Sequence, residues 1–346
     1  MTISICIPQY NRIELLLTSL RIIEKQTYDD IEIVISDDCS TDNTKQEIEN
    51  LQRDYKYPIR YFRFETNQGY DRNYRKSIEL ASGEYCFVIG NDDTLHGNDS
   101  IAWLVGFLEQ NNYPDIGFCN YTEDGNNDVV VERALETKVQ GSGIECAIQH
   151  ANSFSFVGGL IYKKETFQKF NRGDHDGSIY AQMYISLLMI AKGSVLFTIQ
   201  KPMVLKDMLN KDGSFRWCAY KNGLPKNWKE FKVIQSGLKS VMDVLIAACR
   251  DAGKDHHSII YRIMRRMYTI TYPYWIEQYK HHGSLAAGCG LIVEMNPLNN
   301  KFLKELPPGR RAKIIFYYMG ASAGGLLLPF KLFNQLQPKL HRMVRQ

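Results

Sequence analysis

Two adjacent carboxylates, Asp92 and Asp93, stand just past a short apolar run, Tyr85 to Ile89, that stops at Gly90-Asn91. The run is aromatic and branched and lies between Gly83 and Gly90, which predicts a buried strand rather than a helix. Carboxylates at a strand's carboxyl end occupy the edge where open α/β sheets bind ligands, and a pair of them offers the hard oxygen donors that Mg²⁺ or Mn²⁺ takes. A plain polar turn is the alternative, because Asp suits turns for backbone reasons. The residues upstream favour chemistry. Asn67-Gln68-Gly69 reads as a turn, and Tyr70 to Leu80 follows with helical spacing, carrying Arg72, Asn73, Arg75 and Lys76 toward the same acids.

Positioning these groups requires a sheet, and the preceding chain predicts one. Ile3 to Ile7 is almost continuously apolar, as a strand buried on both faces of a parallel sheet should be, and Pro8-Gln9-Tyr10-Asn11-Arg12 then breaks it. Leu15, Leu16, Leu17, Leu20, Ile22 and Ile23 form a broad apolar helical face. A second strand, Ile31 to Ser36, ends in Asp37-Asp38, after which Thr44 and Glu47 have the spacing of a capping box. A third strand, Ile59 to Phe64, leads back to Asn67. Such alternation predicts parallel βαβ units and an α/β fold. Each strand ends in polar residues at one edge: Tyr10 and Asn11, Asp37 and Asp38, Asn67, then Asp92 and Asp93. Their convergence favours a nucleotide pocket over four unrelated turns. Further on, a helix is expected over Ser100 to Gln110, a strand over Asp115 to Tyr121, an exposed turn or hairpin over 122 to 141, and a glycine-rich approach, Ser153 to Gly159, into another strand.

Taken together, Asn67, Gly69, Asn73, Ala81, Gly83 to Tyr85 and Asn91 to Asp93 resemble the pattern of family 2 glycosyltransferases of the GT-A fold. The Gly-Tyr-Asp-Arg-Asn variant at 69 to 73 is similar to the bacterial O-antigen branch that includes abequosyltransferases. The resemblance covers roughly residues 1 to 217. It implies a Rossmann-like, mostly parallel sheet flanked by helices, and a nucleotide-sugar donor. Asp93 would bind Mn²⁺ or Mg²⁺ and Asp92, beside it, would face the donor sugar and share the metal. Pro8, Tyr10 and Asp38 would line the nucleoside, with Asp38 accepting from a base N–H, and Arg72 would face the base or diphosphate. Arg12, Asp37, Asn67, Gly69 and Asn73 complete the expected donor-binding set. Asn91 stands where the common pattern has an acid.

The helix expected over Ile179 to Ala191 departs from the family. Inverting members present Glu-Asp near its start, the Asp serving as base, whereas this chain has Tyr180-Ala181-Gln182-Met183. Candidates for a displaced base are Asp174, His175 and Asp176; the alternative is a polar loop before a helix. A base contributes ~10²–10⁴-fold, so an enzyme without one would be slow yet still helped by leaving-group stabilisation, and the missing Glu-Asp leaves the stereochemistry unassigned. After a strand from Val195 to Ile199, the segment containing Lys206, Lys211 and Arg216 resembles the mobile piece that closes over the diphosphate. Those cations are candidates to neutralise it. Gly213 stands where the processive Gln-x-x-Arg-Trp motif has Gln, which favours transfer of one sugar.

Composition sets the remaining bounds. The 346 residues are 44% hydrophobic and 23% charged with a formal net charge of +4, ordinary for a folded chain and too mild for a nucleic-acid partner. Eight cysteines without a Cys-x-x-Cys pair read as small buried hydrophobes in a reducing compartment, and the eight histidines show no zinc spacing. With no signal peptide in view, a cytoplasmic location is expected. The expected organisation is a catalytic domain at 1–220, a helical region at 221–307 with helices at about 228 to 252 and 258 to 280, and a basic, apolar tail at 308–346. In that tail the 17 uncharged residues from Ile314 to Phe330 fall short of the ~20 that span a bilayer and have cations at both ends. The tail suits the interface of an anionic membrane, on the cytosolic face of the bacterial inner membrane, or else a helix docked on the core or on a second copy in a homo-oligomer. An acceptor saccharide on a lipid diphosphate would match a membrane-lying tail. Two other classes stay open: a sugar nucleotidyltransferase, and a non-catalytic scaffold that keeps the fold.

Overall fold

The computed structural model describes residues 1–208, 224–254, 256–333 and 335, and its chain divides into two compact units, Met1–Arg216 and Trp217–Gln346. In the first, β1 (Ile3–Gln9) is buried at every residue, and α1 (Ile13–Ile23) sets Leu16, Leu20 and Ile23 into the same core. Next come β2 (Ile31–Asp37), α2 (Thr44–Leu51), β3 (Ile59–Arg63), α3 (Tyr70–Glu79) and β4 (Tyr85–Val88). These make three βαβ crossovers, with β3, β2, β1 and β4 parallel neighbours in that order. β5 (Thr94–Leu95), α4 (Ser100–Gln110), β6 (Ile116–Glu123), β7 (Asn126–Val131), β8 (Lys138–Gly141) and α5 (Ile144–His150) follow. β9 (Leu160–Lys163), α6 (Lys164–Phe170), α7 (Ala181–Ala191) and β10 (Leu196–Lys206) complete the unit.

Beyond β4 the sheet continues through β9, β6, β10 and β5. β9 is antiparallel to both β4 and β6, so β6 and β10 keep the direction of β1 to β4. β7 returns antiparallel along β6, giving the hairpin expected there, and β8 adds beside β10. The sheet is mostly parallel with helices around it, as expected of the GT-A fold.

Two local expectations are corrected. β1 does not break at Pro8 but runs through it to Gln9. Pairing with β4 ends at Cys6–Val88, so from Pro8 onward the ladder is with β2 alone and tolerates a residue without an N–H. Nor does Thr44 close a capping box with Glu47. Asp42 accepts from the Thr44 N–H and hydroxyl instead, and the Thr44 oxygen takes a hydrogen bond from Gln9.

The second unit is helical: α8 (Leu238–Asp251), α9 (His257–Arg266), α10 (Tyr272–His282), α11 (Leu285–Glu294) and α12 (Pro308–Leu327). The helix expected from about 228 begins only after Gly237, which takes a left-handed φ of 77°. On α12, Ile314 and Gly325 are buried, Gly325 lying so close to Ile276 that a Cβ there would fall 2.7 Å from its Cγ2. Tyr318 donates to the Ile292 carbonyl at 2.9 Å, and Lys280 donates to the carbonyls of Gly325 and Leu328. One face of α12 is therefore docked within its own unit, while Phe316, Met319 and Leu327 form an exposed stripe at 68%, 56% and 81%. Among the described residues no helix is long and apolar enough to cross a membrane.

Candidate active site

The site is built at the carboxyl ends of β1, β2 and β4. Leaving β1, Asn11 and Arg12 both adopt left-handed backbone (φ 54° and 61°), uncommon for side-chain-bearing residues and held here by surrounding bonds. Asn11 N donates to Ser40 Oγ, its Oδ1 accepts from Thr41 N, and Asp42 caps Ile13. The turn carries Arg12 to Asp92, Nη1 lying 2.6 Å from Oδ2. Beneath it Gln9 is fully buried, donating to Asn11 O and Thr44 Oγ1 and accepting from Asn91 Nδ2 at 2.9 Å. That amide also lies within reach of the Tyr10 and Asn11 carbonyls, so position 91 works as a donor to three oxygens, which an acid could not be.

Asp93 is 2% exposed. Its Oδ2 accepts from Gly90 N at 3.2 Å and its Oδ1 from Asp207 N at 3.1 Å, and no described cation pairs with it. Burial, and then the Asp92 charge, push its carboxyl up to about 8. Beyond β10, Met208 N donates to the Asp92 carbonyl at 2.8 Å, so the chain leaving that strand is fastened to both aspartates. Lys206 Nζ bonds Asp207 at 2.5 Å and lies 3.5 Å from Glu123, carboxylates that hold its ammonium firmly protonated against burial. Lys211 and Arg216 lie outside the described residues.

Along the nucleotide side the polar residues are largely committed to one another. Asp37 accepts from Ser40 N, Ser40 Oγ and Tyr61 OH. Asp38, expected to accept from a base, takes Gln68 N on Oδ1 and Gly69 N on Oδ2, while Asn67 Nδ2 reaches its carbonyl. Asp38 therefore shapes the turn into α3. Pro8 is buried in β1, whereas Tyr10 is 46% exposed, a ring offered to the edge rather than packed into the core. Arg72 is held by Glu79 at 2.7 Å and lies over the Phe64 ring. Asn73 donates to Gln9 O, leaving Oδ1 buried without a partner.

α3 also fixes the loop ahead of α7. Asp71, 1% exposed, accepts from the N–H groups of Gly177, Ile179 and Ala181, and Arg75 binds both oxygens of Asp176. His175 packs on the Tyr184 ring at 4.2 Å. Asp174 is exposed and, among the described residues, has no partner. Of the three candidate bases, Asp174 alone is uncommitted. Gln182, where the resemblance leads one to expect an acid, is 2% exposed; its Nε2 reaches Ser155 O at 3.4 Å and its Oε1 has no partner.

Comparison with known proteins places this arrangement. Residues 4–171 match the family model described as Glycosyl transferase family 2. The chain is similar to the abequosyltransferase RfbV of Salmonella typhimurium, 34% identical over 239 residues, which span 62% of this chain and 71% of that one. The chain belongs to glycosyltransferase family 2. Another relative of this glycosyltransferase is the GalNAc(5)-diNAcBac-PP-undecaprenol beta-1,3-glucosyltransferase of Campylobacter jejuni, 31% identical over 41% of this chain and 43% of that one. S. aureus TarS (residues 1–349, with UDP) shares the fold at TM-score 0.60 and 16% identity, over 94% of this chain and 91% of that one. For this family 2 glycosyltransferase, sequence reasoning missed Gln9, Asp71 and the pairing of Arg75 with Asp176. A polar residue inside an apolar strand was the available signal for Gln9.

Proposed function

We propose that the protein moves one sugar from a nucleotide-sugar donor to a hydroxyl of a saccharide carried on a lipid diphosphate, in assembly of a bacterial surface polysaccharide. The observation that carries this reading is the meeting of Arg12, Asp92, Asp93 and the Lys206–Asp207 segment at one sheet edge in a family 2 chain. Support for the donor comes from S. aureus TarS, solved with UDP and with UDP-GlcNAc, and for the acceptor from the Campylobacter relative, whose name specifies an undecaprenol-linked diphosphate.

In the reaction an acceptor oxygen attacks the anomeric carbon, the nucleoside diphosphate leaves with the bonding electrons, and the acceptor proton must find a base. Asp93 suits a divalent cation. It is a buried carboxylate short of positive charge, with Asp92 adjacent. No cluster of three potential ligands forms among the described residues, so Mn²⁺ or Mg²⁺ would be held by these two acids and by donor phosphates and water. Bound there, it would neutralise charge on the leaving diphosphate. Asp174 is our candidate for that base, because Asp176 is held by Arg75 and Asp174 has no partner among the described residues.

The exposed stripe of α12 supports peripheral contact with the cytosolic face of the membrane. Residues 217–346 hold 20 Lys and Arg against 7 Asp and Glu, a net +13, which favours an anionic lipid surface. A second copy of the chain is the other occupant of that stripe. The function is tested by incubating the protein with Mn²⁺, a panel of nucleotide sugars and an undecaprenyl-diphosphate saccharide. A product heavier by one glycosyl unit, absent with Asp93→Asn, is expected; its absence from every pairing, with nucleotide binding intact, would contradict the proposal.

A further inference from the structure

Arg133, half-buried between β7 and β8, has an unusual set of partners. Nε and Nη2 donate to Cys119 O at 3.0 and 2.7 Å, Nη1 to Ser153 O and Phe156 O at 3.1 and 2.9 Å, and Nη2 to Gly158 O at 2.6 Å. All five donors of the fork are thereby used, each on a backbone carbonyl. The rings of Phe118, Tyr121 and Phe156 lie 5.3–5.8 Å from its centre, and no described carboxylate pairs with it. Three of the four carbonyls belong to 153–158, a segment otherwise tied down by few bonds.

That segment touches each part of the candidate site. Gly158 abuts Asp93 so closely that a Cβ would lie 2.9 Å from Oδ2, and Gly159 (φ 79°) has no room for one between Cys119 and Arg133. The Phe156 ring lies 5.7 Å from Lys206 Nζ, and Ser155 O faces Gln182. We infer that Arg133 is a positioning residue for glycosyl transfer, pinning 153–159 as a preformed wall that joins Asp93, Lys206 and Gln182. The inference rests on the proposed role of Asp93. The wall adjoins the aspartates rather than the polar groups of β2 and α3, so it acts on the transferring sugar and its acceptor more than on the nucleotide. Lysine keeps the charge but has three donors on a flexible stem and cannot reproduce the fork.

Hydrogen exchange of the whole protein with and without Arg133→Lys tests this. The amides of Ser155 and Gly159, which donate to Asn152 O and Val88 O, are expected to be protected in the wild type and to exchange at least tenfold faster in the variant, with β1 and α3 unchanged. Where the wild type transfers sugar, kcat should fall tenfold or more with donor KM within threefold. Phe156→Leu, which removes one ring but orphans no carbonyl, should loosen the same amides to a smaller degree. Unprotected Ser155 and Gly159 amides in the wild type, unaltered exchange in both variants, or a loss of protection spread evenly over the unit would overturn the inference. Absence of any transfer by the wild type would instead count against the proposed function, since exchange reads the loop without activity.

Discussion

The guanidinium of Arg75 on α3 holds both carboxylate oxygens of Asp176, 101 residues further along the chain. With Asp71 one turn earlier binding three amides of the same loop, α3 fixes the approach to α7. Asp176 serves as an anchor there, whereas Asp174 is exposed and, among the described residues, has no partner.

The two aspartates should therefore fail differently when changed. Asp176→Asn is expected to cost about 1.5–3 kcal/mol of stability, the range for hydrogen bonds to charged groups, read by urea unfolding. Asp174→Asn should leave unfolding unchanged and lower kcat by ~10²-fold or more, as loss of a general base does. Wild-type turnover in Asp174→Asn would remove it as the base.

Asp93 gives a pH dependence of definite sign. Burial, and then the Asp92 charge, push its carboxyl up to about 8 in the folded chain, well above the usual carboxylate range, so the folded protein holds the proton more tightly. The associated stability is complete below pH 3.8 and is lost as pH rises through 8. Without metal, the melting temperature of the wild type should fall between about pH 4 and 8 more steeply than that of Asp93→Asn, while Mn²⁺ binding tightens and releases protons. Parallel melting profiles would contradict this.

Deleting the chain from Pro308 would remove the buried Ile314 and Gly325 as well as the exposed stripe, and so is a poor probe of surface contact. Replacing Phe316, Met319 and Leu327 together by Ser leaves the docked face intact. This variant should keep its melting temperature and its turnover with a soluble acceptor, and lose most of its co-sedimentation with vesicles containing phosphatidylglycerol. Unchanged sedimentation together with a halved mass in light scattering would instead identify the stripe as a contact between copies.

What could be read from the sequence was what neighbouring residues announce. The apolar runs of β1, β2 and β4, followed by Pro8-Gln9, Asp37-Asp38 and Gly90-Asn91, located the strands and put Asp92 and Asp93 at an edge. β9 was harder. Four residues, Leu160–Lys163, insert antiparallel between two parallel strands, and nothing local in them states which neighbour they take. The family resemblance implies that Asp38 and Arg72 face the donor, yet their partners, Gln68, Gly69 and Glu79, lie within the protein. Asp71 and Arg133 act through backbone groups far along the chain, and Gln9 through the side chains of Thr44 and Asn91, contacts that no spacing rule reports.

The central claim is that Asp93 anchors a nucleotide-sugar site, and calorimetric titration with UDP, GDP, CDP and dTDP, each with and without Mn²⁺, tests it most directly. One of the four should bind tightly only with the metal, and Asp93→Ala should abolish that binding while keeping the fold. Binding of none, or equal binding by Asp93→Ala, would contradict it.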